Sequence, residues 1–508
     1  METAISRGLC SPVLVLRARD GAKRSRTLRQ AAYYFLRLFI MPPKSWRPAP
    51  EPLWLQGVPE IELAPDVEGI WESVPEDIVE RIKLAKPSFI LKCGLGLIKG
   101  SILEAAPLGV WSWHHGDPRH YRGRPAGFWE IFNDEKFMGA MLQRLTDKLD
   151  SGAILAEGKY RLSRWSYRSS LETAYLGGAE LLAKACESAI NQRPPLTLTS
   201  WGKNYRLPSN IVVLRFIIRQ LREAVKRAFY GAFVSKNWFV AFKSISNFSE
   251  LEQLDTSELN SWLERGRGGF FADPFLLPDG TQRIVCEVEN RRTSKGEIAV
   301  IDKNGCETIL LGGDRHYSYP FVFEFDGEFW ILPEMAAASR PIAYQMSSDF
   351  NSIVCERSIG LDARVLDPTL LFHNGRWWLF GTKPGPLSLN DLYLWYASTP
   401  FGPWTPHPLN PIVQDPSRAR PAGSFVLAGG YLYRMGQDCS RSYGGGVTVT
   451  RVQQLDEQNY VEQPAFSVPM SNYDGLHTVS YVDGMLAVDV CTNRLDPFAW
   501  LTRLKSRG

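Results

Sequence analysis

The sequence predicts two folds in one chain. An α/β parallel-sheet domain occupies residues 1–205, and an all-β five-bladed β-propeller occupies residues 236–508, with a linker helix at 206–235. Three observations carry this: a fivefold repeat in the C-terminal half, alternation of short apolar strands with helical stretches in the N-terminal half, and a change to short strands and turns near residue 235. Each repeat opens on a polar or turn residue, runs through an extended apolar stretch and ends in a tight turn. The copies begin at Ala272-Asp273-Pro274-Phe275, Tyr319-Pro320-Phe321, Leu366-Asp367-Pro368-Thr369, Arg420-Pro421-Ala422-Gly423 and Leu476-His477-Thr478. Their turns are Asp279-Gly280, Asp326-Gly327, Asn374-Gly375, Gly429-Gly430 and Asp483-Gly484, recurring every 47 to 55 residues. Asp-Gly and Asn-Gly between apolar runs favour two-residue hairpins, because both central residues then need positive φ. A four-stranded repeat that cannot bury its own faces must stack against its neighbours, and radial stacking of five gives a propeller. Equivalent strand openings then converge on one axial mouth.

In the N-terminal half, Pro12–Leu16 reads as a buried strand, Gln30–Met41 as a helix and 42–52 as a Pro-rich loop. A helix is predicted at Pro75–Ala85, a strand at Phe89–Cys93, a helix near Ser101–Ala106 and a strand at Gly109–Trp113. A further helix is predicted over Phe137–Leu149. Such alternation argues for a parallel sheet. Over residues 209–230, Arg215, Arg219, Arg222, Lys226 and Arg227 recur at helical spacing against Ile211, Leu214, Ile218, Leu221 and Val225. The simplest reading packs the apolar side on a domain and leaves the basic side solvated. The alternative is an interfacial helix making peripheral contact with anionic lipid.

The composition is that of a globular protein, with 44% hydrophobic and 22% charged residues. A net charge of +4, spread along the chain, gives no case for a nucleic-acid partner. The eight cysteines form no CxxC pair, so neither a metal site nor a disulfide framework is signalled, and scattered thiols fit a cytoplasmic location. No stretch reaches the roughly 18 uninterrupted apolar residues needed to span a bilayer.

Residues 88–155 carry Ser112-Trp113-His114-His115-Gly116-Asp117-Pro118, then Tyr121-Arg122-Gly123, then Leu149-Asp150-Ser151-Gly152. This stretch resembles the formyltransferase domain of the methionyl-tRNA and sugar N-formyltransferase superfamily. Formyl transfer needs a base for the amine and a donor for the tetrahedral oxyanion. The resemblance implies His114 as base or oxyanion donor, Asp150 as its orienting partner, and Ser112 in place of the family asparagine. It also implies that Gly94, Leu95, Gly96, Leu97 and Ile98 hold 10-formyltetrahydrofolate. The family's first strand and glycine loop have no counterpart before Val13–Leu16.

The C-terminal repeat, with Lys295-Gly296-Glu297 and Gln437-Asp438-Cys439-Ser440, resembles the five-bladed fold of glycoside hydrolase family 43. It resembles more closely the propeller region of plant glucosamine inositolphosphorylceramide transferases. Glycosidases of that fold use axial carboxylates, and the resemblance gives Asp273 the role of base and Asp367 that of a tuning carboxylate. The fourth opening, at Arg420, offers no carboxylate, so Glu289 or Glu334 must reach the mouth from neighbouring strands. Arg420, Gln437, Asp438 and His477 complete a polar set suited to a charged or polyhydroxyl ligand. The leading expectation is formyl transfer from the folate to an amino sugar or nucleotide sugar held by the propeller. Two others stay open: glycosidase or glycosyl-transfer activity in the propeller, and a carbohydrate-binding protein without turnover.

Overall fold

A computed structural model describes the chain except for residues 19–27, 40–42, 44–49, 148–151, 199–200, 264–268, 281, 291–292, 294, 303, 314, 336–339 and 501–508. The chain divides into two compact units, Met1–Ala224 and Val225–Gly508.

The first unit is built on a four-stranded sheet in the order Ala153–Arg161, Phe137–Arg144, Val110–His114, Ile90–Lys92. Only Ile90–Lys92 and Val110–His114 run parallel; the other two pairings are antiparallel. The expected parallel sheet is therefore a mixed one. The helix expected over Phe137–Leu149 is a strand, Phe137–Arg144, with Met138 to Gln143 all buried. A strand buried on both faces loses its period-2 signature and reads as a continuous apolar run, which is how it passes for a helix. Gly139 marks the error, because a Cβ there would sit 2.9 Å from the Asp117 backbone nitrogen.

The strand expected at residues 12–16 is Val15–Ala18, paired in parallel with Glu60–Leu63. Helices at Ala31–Phe39 and Glu76–Leu84 match expectation to within two residues, whereas Ser101–Glu104 is only a short 3-10 turn. Helix Tyr167–Ile190 is capped by the Ser166 side chain and buries Leu171, Ala174, Leu181 and Leu182 in the core of this unit.

Helix Asn210–Phe233 reverses the expected orientation. Val213 and Phe216 enter the core of the first unit, while Ile211, Leu214, Ile218, Leu221 and Val225 face outward. Phe216 stacks on Phe128 at 4.3 Å, and this aromatic anchor outweighs the longer aliphatic stripe on the opposite side. The helix is thus integrated into a core at its N-terminal half rather than being a bare linker.

The second unit contains five four-stranded antiparallel blades, the third with one additional short strand. They begin with Phe271–Leu276, Tyr317–Phe325, Leu366–His373, Val426–Ala428 and Gly475–Val482, in the order of the sequence repeats. In the fifth blade, Gly475–Val482 and Met485–Leu495 are completed by Val234–Ser244 and Asn260–Leu263. The eleven paired positions from Val234↔Leu495 to Ser244↔Met485 tie the start of the unit to its end. The first strand of blade one packs against those of blades five and two, and that of blade two against blade three. Gly423, preceding the first strand of blade four, bridges Val479 in blade five. The hairpin glycines at 280, 327, 375, 430 and 484 all have positive φ, as do Asp326, Asn374 and Asp483. Blade one differs: its loop closes from Leu277 to Arg283, with the Arg283 side chain donating to Asp279.

Candidate functional site

The first strands of blades one, two, three and five share one irregularity. Pairing skips between Ala272 and Phe275, Ser318 and Phe321, Leu366 and Thr369, and Leu476 and Val479. Two residues bulge out of each ladder there: Asp273-Pro274, Tyr319-Pro320, Asp367-Pro368 and His477-Thr478. A proline supplies no ladder N–H, so it fits the unpaired position. Asp273, Tyr319 and Asp367 are left with φ of +51°, +45° and +47°, a region costly for any residue with a Cβ. Three strained residues at equivalent positions mean that the surrounding hydrogen bonds fix them there, and those bonds define the site.

Around Asp367, Arg420 donates from Nε to Oδ2 and from Nη2 to Oδ1, the latter at 3.0 Å. Gln437 adds a bond to Oδ2 at 3.2 Å, and the Asp367 backbone N–H donates to Glu334 Oε2 at 3.0 Å. Arg420 also reaches Glu334 at 3.4 Å, and its guanidinium lies 5.1 Å from the Tyr443 ring centre. Burial raises the Asp367 pKa to about 7; Arg420 opposes that rise and the Glu334 charge reinforces it.

Around Asp273, Thr478 Oγ1 donates to Oδ1 at 2.6 Å, and the Tyr319 backbone N–H to Oδ2 at 3.2 Å. The Asp273 N–H in turn donates to Asp489 Oδ2 at 2.9 Å. Asp489 also accepts from the His477 and Thr478 backbone at 3.0 and 2.8 Å, and pairs with His477 Nδ1. The imidazole is stacked 4.1 Å from Trp238. Burial works against its protonated form, but Asp489 and Asp273 outweigh burial and raise the His477 pKa. Burial raises Asp273 to about 6, with His477 opposing and Asp489 and Asp367 adding to the rise. The Tyr319 hydroxyl joins the two halves, pairing with Thr369 Oγ1 and accepting from the Gly423 N–H, both at 2.9 Å.

Asp273, Asp367, Arg420, Gln437, Glu334 and His477 are therefore brought into one network, as the repeat register requires. Glu289 is not the buried glutamate of its strand. Glu287 is, and burial, with Asp273, Glu334 and Asp489 nearby, holds its pKa well above the usual carboxylate range. Asp438 braces its own turn, accepting from the Ser440 N–H at 2.9 Å and from the Ser440 hydroxyl. Sequence reasoning also missed Tyr319, Thr478 and Asp489. Tyr319 was within reach, since Tyr319-Pro320 aligns with Asp273-Pro274 and Asp367-Pro368; Asp489 lies on the next strand and carries no local signal. Asp273, His477 and Asp489 each offer a ligand atom within 4.8 Å of one another, close enough to hold a metal ion. Within the protein these residues bond one another and the neighbouring N–H and hydroxyl donors described above.

In the first unit, Asp150 lies outside the described residues. Ser112 is buried, and its hydroxyl makes one long bond of 3.5 Å to the Trp113 carbonyl. His114 ends its strand, with Gly116 and Glu130 nearby. The neighbouring His115 is half-buried against the Tyr175 ring, and desolvation lowers its pKa to about 4. Part of the stretch assigned to the folate lies in a sheet. Leu97 and Ile98 lie in a strand paired with Trp71–Ser73, and the Gly96 N–H donates to Glu72 at 2.5 Å.

The second unit is thus a five-bladed propeller with a buried, charged axial network. Residues 263–501 match the family described as "Glucosamine inositolphosphorylceramide transferase 1, N-terminal". Glucosamine inositolphosphorylceramide transferase 1 of Arabidopsis thaliana is 35% identical over 205 residues, covering 38% of this chain and 27% of that protein. The protein of the same name from Oryza sativa subsp. japonica is 32% identical over 207 residues, covering 38% and 28%. The chain thus spans little more than a quarter of the length of these relatives. Among solved structures, an exo-β-1,3-galactanase from Clostridium thermocellum is similar at 13% identity and a TM-score of 0.33, covering 49% of this chain and 61% of that one. An α-L-arabinofuranosidase from the same organism has 12% identity and a TM-score of 0.28, covering 40% and 73%. The propeller reading rests on the sheet order above.

These matches correct the expectation of formyl transfer. The relatives above are named glucosamine inositolphosphorylceramide transferases, and these matches give no support to a formyltransferase domain or a folate-dependent reaction.

Proposed function

We propose that the propeller recognises a sugar for glycosyl transfer, with the Asp367–Arg420–Glu334 group as its polar anchor. The observation that carries this reading is the guanidinium of Arg420 shared between two carboxylates beside the Tyr443 ring. Carboxylates accept from vicinal sugar hydroxyls, the guanidinium donates to ring or phosphate oxygens, and the aromatic face covers the apolar side of a pyranose. The relatives' names support a transferase in glycan metabolism and a substrate joining an amino sugar to an inositol phospholipid. Titration calorimetry with nucleotide-activated hexosamines and with soluble inositol glycosides tests it. Saturable binding that disappears in Asp367→Asn supports the reading; identical affinity in the wild type and this variant overturns it.

A second reading places sugar-bond cleavage at Asp273. It is favoured by the contrast between Glu287, whose pKa burial pushes well above the usual carboxylate range, and Asp273, raised by burial to about 6. Two carboxyl groups with separated pKa values are what acid–base cleavage requires. Release of free sugar from aryl glycosides, lost in Asp273→Ala, supports this reading; release that survives the substitution removes it.

A further inference from the structure

Helix Asn210–Phe233 carries an apolar stripe that the protein leaves in solvent. Ile211, Leu214, Ile218, Leu221, Val225 and Phe229 are each between 53% and 68% exposed. Their spacing of three and four residues puts them on one face. With 3.6 residues per turn, Arg215, Arg222 and Lys226 fall beside that stripe, Val213 and Phe216 fall on the opposite, buried side, and Arg219 turns towards the first unit, pairing with Asp134 at 2.8 Å and donating to the Phe132 carbonyl at 2.7 Å. The helix holds five basic residues against a single acidic one, Glu223, which pairs with Arg222 at 3.3 Å.

A second helix beside its N-terminal end also leaves apolar side chains exposed. The Asn210 side chain accepts from the Ala32 N–H and donates to the Leu28 carbonyl, fixing helix Ala31–Phe39 beside it. That shorter helix buries Tyr33 and Leu36 in the same core as Val213 and Phe216, yet leaves Phe35 and Leu38 exposed, along with Leu28 just before it. Single exposed apolar residues are ordinary; a row of six along one helix face is not. No described helix is long and apolar enough to cross a membrane.

We propose that this face docks on an anionic phospholipid surface, with the helix lying in the plane of the interface. An apolar stripe edged by cations is the arrangement that inserts side chains among acyl chains and sets basic groups at phosphate level. A row of cations opposes pairing with a second copy presenting the same row, so charge selects lipid over a homodimer. The site is separate from the axial network, and its failure leaves the sugar-binding reading untouched.

Co-sedimentation of the full chain with vesicles tests it, using phosphatidylcholine alone and phosphatidylcholine mixed with phosphatidylglycerol. Binding to the mixed vesicles is expected to exceed binding to neutral ones by roughly tenfold or more and to weaken with salt. Leu214→Glu with Leu221→Glu should abolish it while leaving the circular dichroism spectrum unchanged, because both side chains are exposed. Arg215→Glu with Lys226→Glu should remove the preference for anionic lipid. Absence of binding to either vesicle, or binding unaffected by these pairs, overturns the proposal. So does a wild-type dimer that becomes monomeric in the leucine variant, since a second copy would then cover the stripe.

Discussion

Arg420 precedes the fourth blade, yet its guanidinium closes on Asp367 at the opening of the third, engaging both carboxylate oxygens. The contact ties adjacent blades through a nearly solvent-free ion pair, and most of what can be tested about this site follows from it.

Removing one partner should cost far more than conserving its shape. Arg420→Ala leaves the Asp367 carboxyl buried without its cation, and Asp367→Ala strands the guanidinium; each should destabilise the propeller by roughly 3–5 kcal/mol. Asp367→Asn keeps an acceptor for Arg420 and should cost less. Urea unfolding of the three variants checks the order.

Sugar engagement that depends on ionised Asp273 should be lost on acidification. Its pKa of about 6 lies above the ordinary 3.8, so the ionised fraction falls as pH drops through 6. The sign for stability is opposite. A raised folded-state pKa contributes stability that is complete below 3.8 and is lost as pH rises through 6. Affinity measured from pH 5 to pH 8 should therefore rise across that window in the wild type, and Asp273→Asn should lose the part of the rise centred near 6 while keeping the part that follows Asp367 near 7.

Blade four has its own acid limit. Arg434 donates from Nε and Nη2 to both oxygens of Glu462, each at 2.8 Å, while Arg418 and the Tyr460 hydroxyl bond the same carboxylate. Burial alone would raise the Glu462 pKa, but Arg434 first and then Arg418 and Tyr460 hold it at about 2. The depressed value contributes stability present above about 4.5 and lost as pH falls towards 2. By linkage this is worth about 3 kcal/mol. Acid unfolding followed by far-ultraviolet circular dichroism should shift to higher pH in Glu462→Gln.

Glycines of the repeat should divide sharply. A Cβ on Gly423 would lie 1.9 Å from the Val479 carbonyl oxygen at φ +122°, so Gly423→Ala should prevent blades four and five from meeting. Gly375, at φ +74° with open space around it, should cost about 1 kcal/mol as alanine. Thermal melting of the pair separates the two roles.

The propeller was legible because its repeat punctuates itself. Asp326-Gly327, Asn374-Gly375 and Asp483-Gly484 are turns that few other sequences satisfy, and the Tyr319-Pro320 and Asp367-Pro368 openings each start seven residues before their turn. Closure by Val234–Ser244 was not legible, since a strand pairing with residues some 250 positions away leaves no local trace. Asp489 was missed for a related reason: its role depends on the bulge at His477-Thr478 in the strand beside it. In the first unit, Phe137–Arg144 hid its strand period by being buried on both faces. The motifs at 112–123 were read as formyl-transfer chemistry, a reading that the relatives' names contradict. Helix 210–233 showed its two stripes plainly, but which stripe faces the core was decided by Phe128 and Phe216, residues far apart in sequence.

The most direct measurement is calorimetric titration of the full chain with inositol glycosides and nucleotide-activated hexosamines, run in parallel on the wild type and Asp367→Asn, with both proteins confirmed folded. Saturable binding by the wild type and a loss of at least about tenfold in the variant is the predicted result. Equal binding by the two proteins, or none by the wild type, would contradict an axial sugar site.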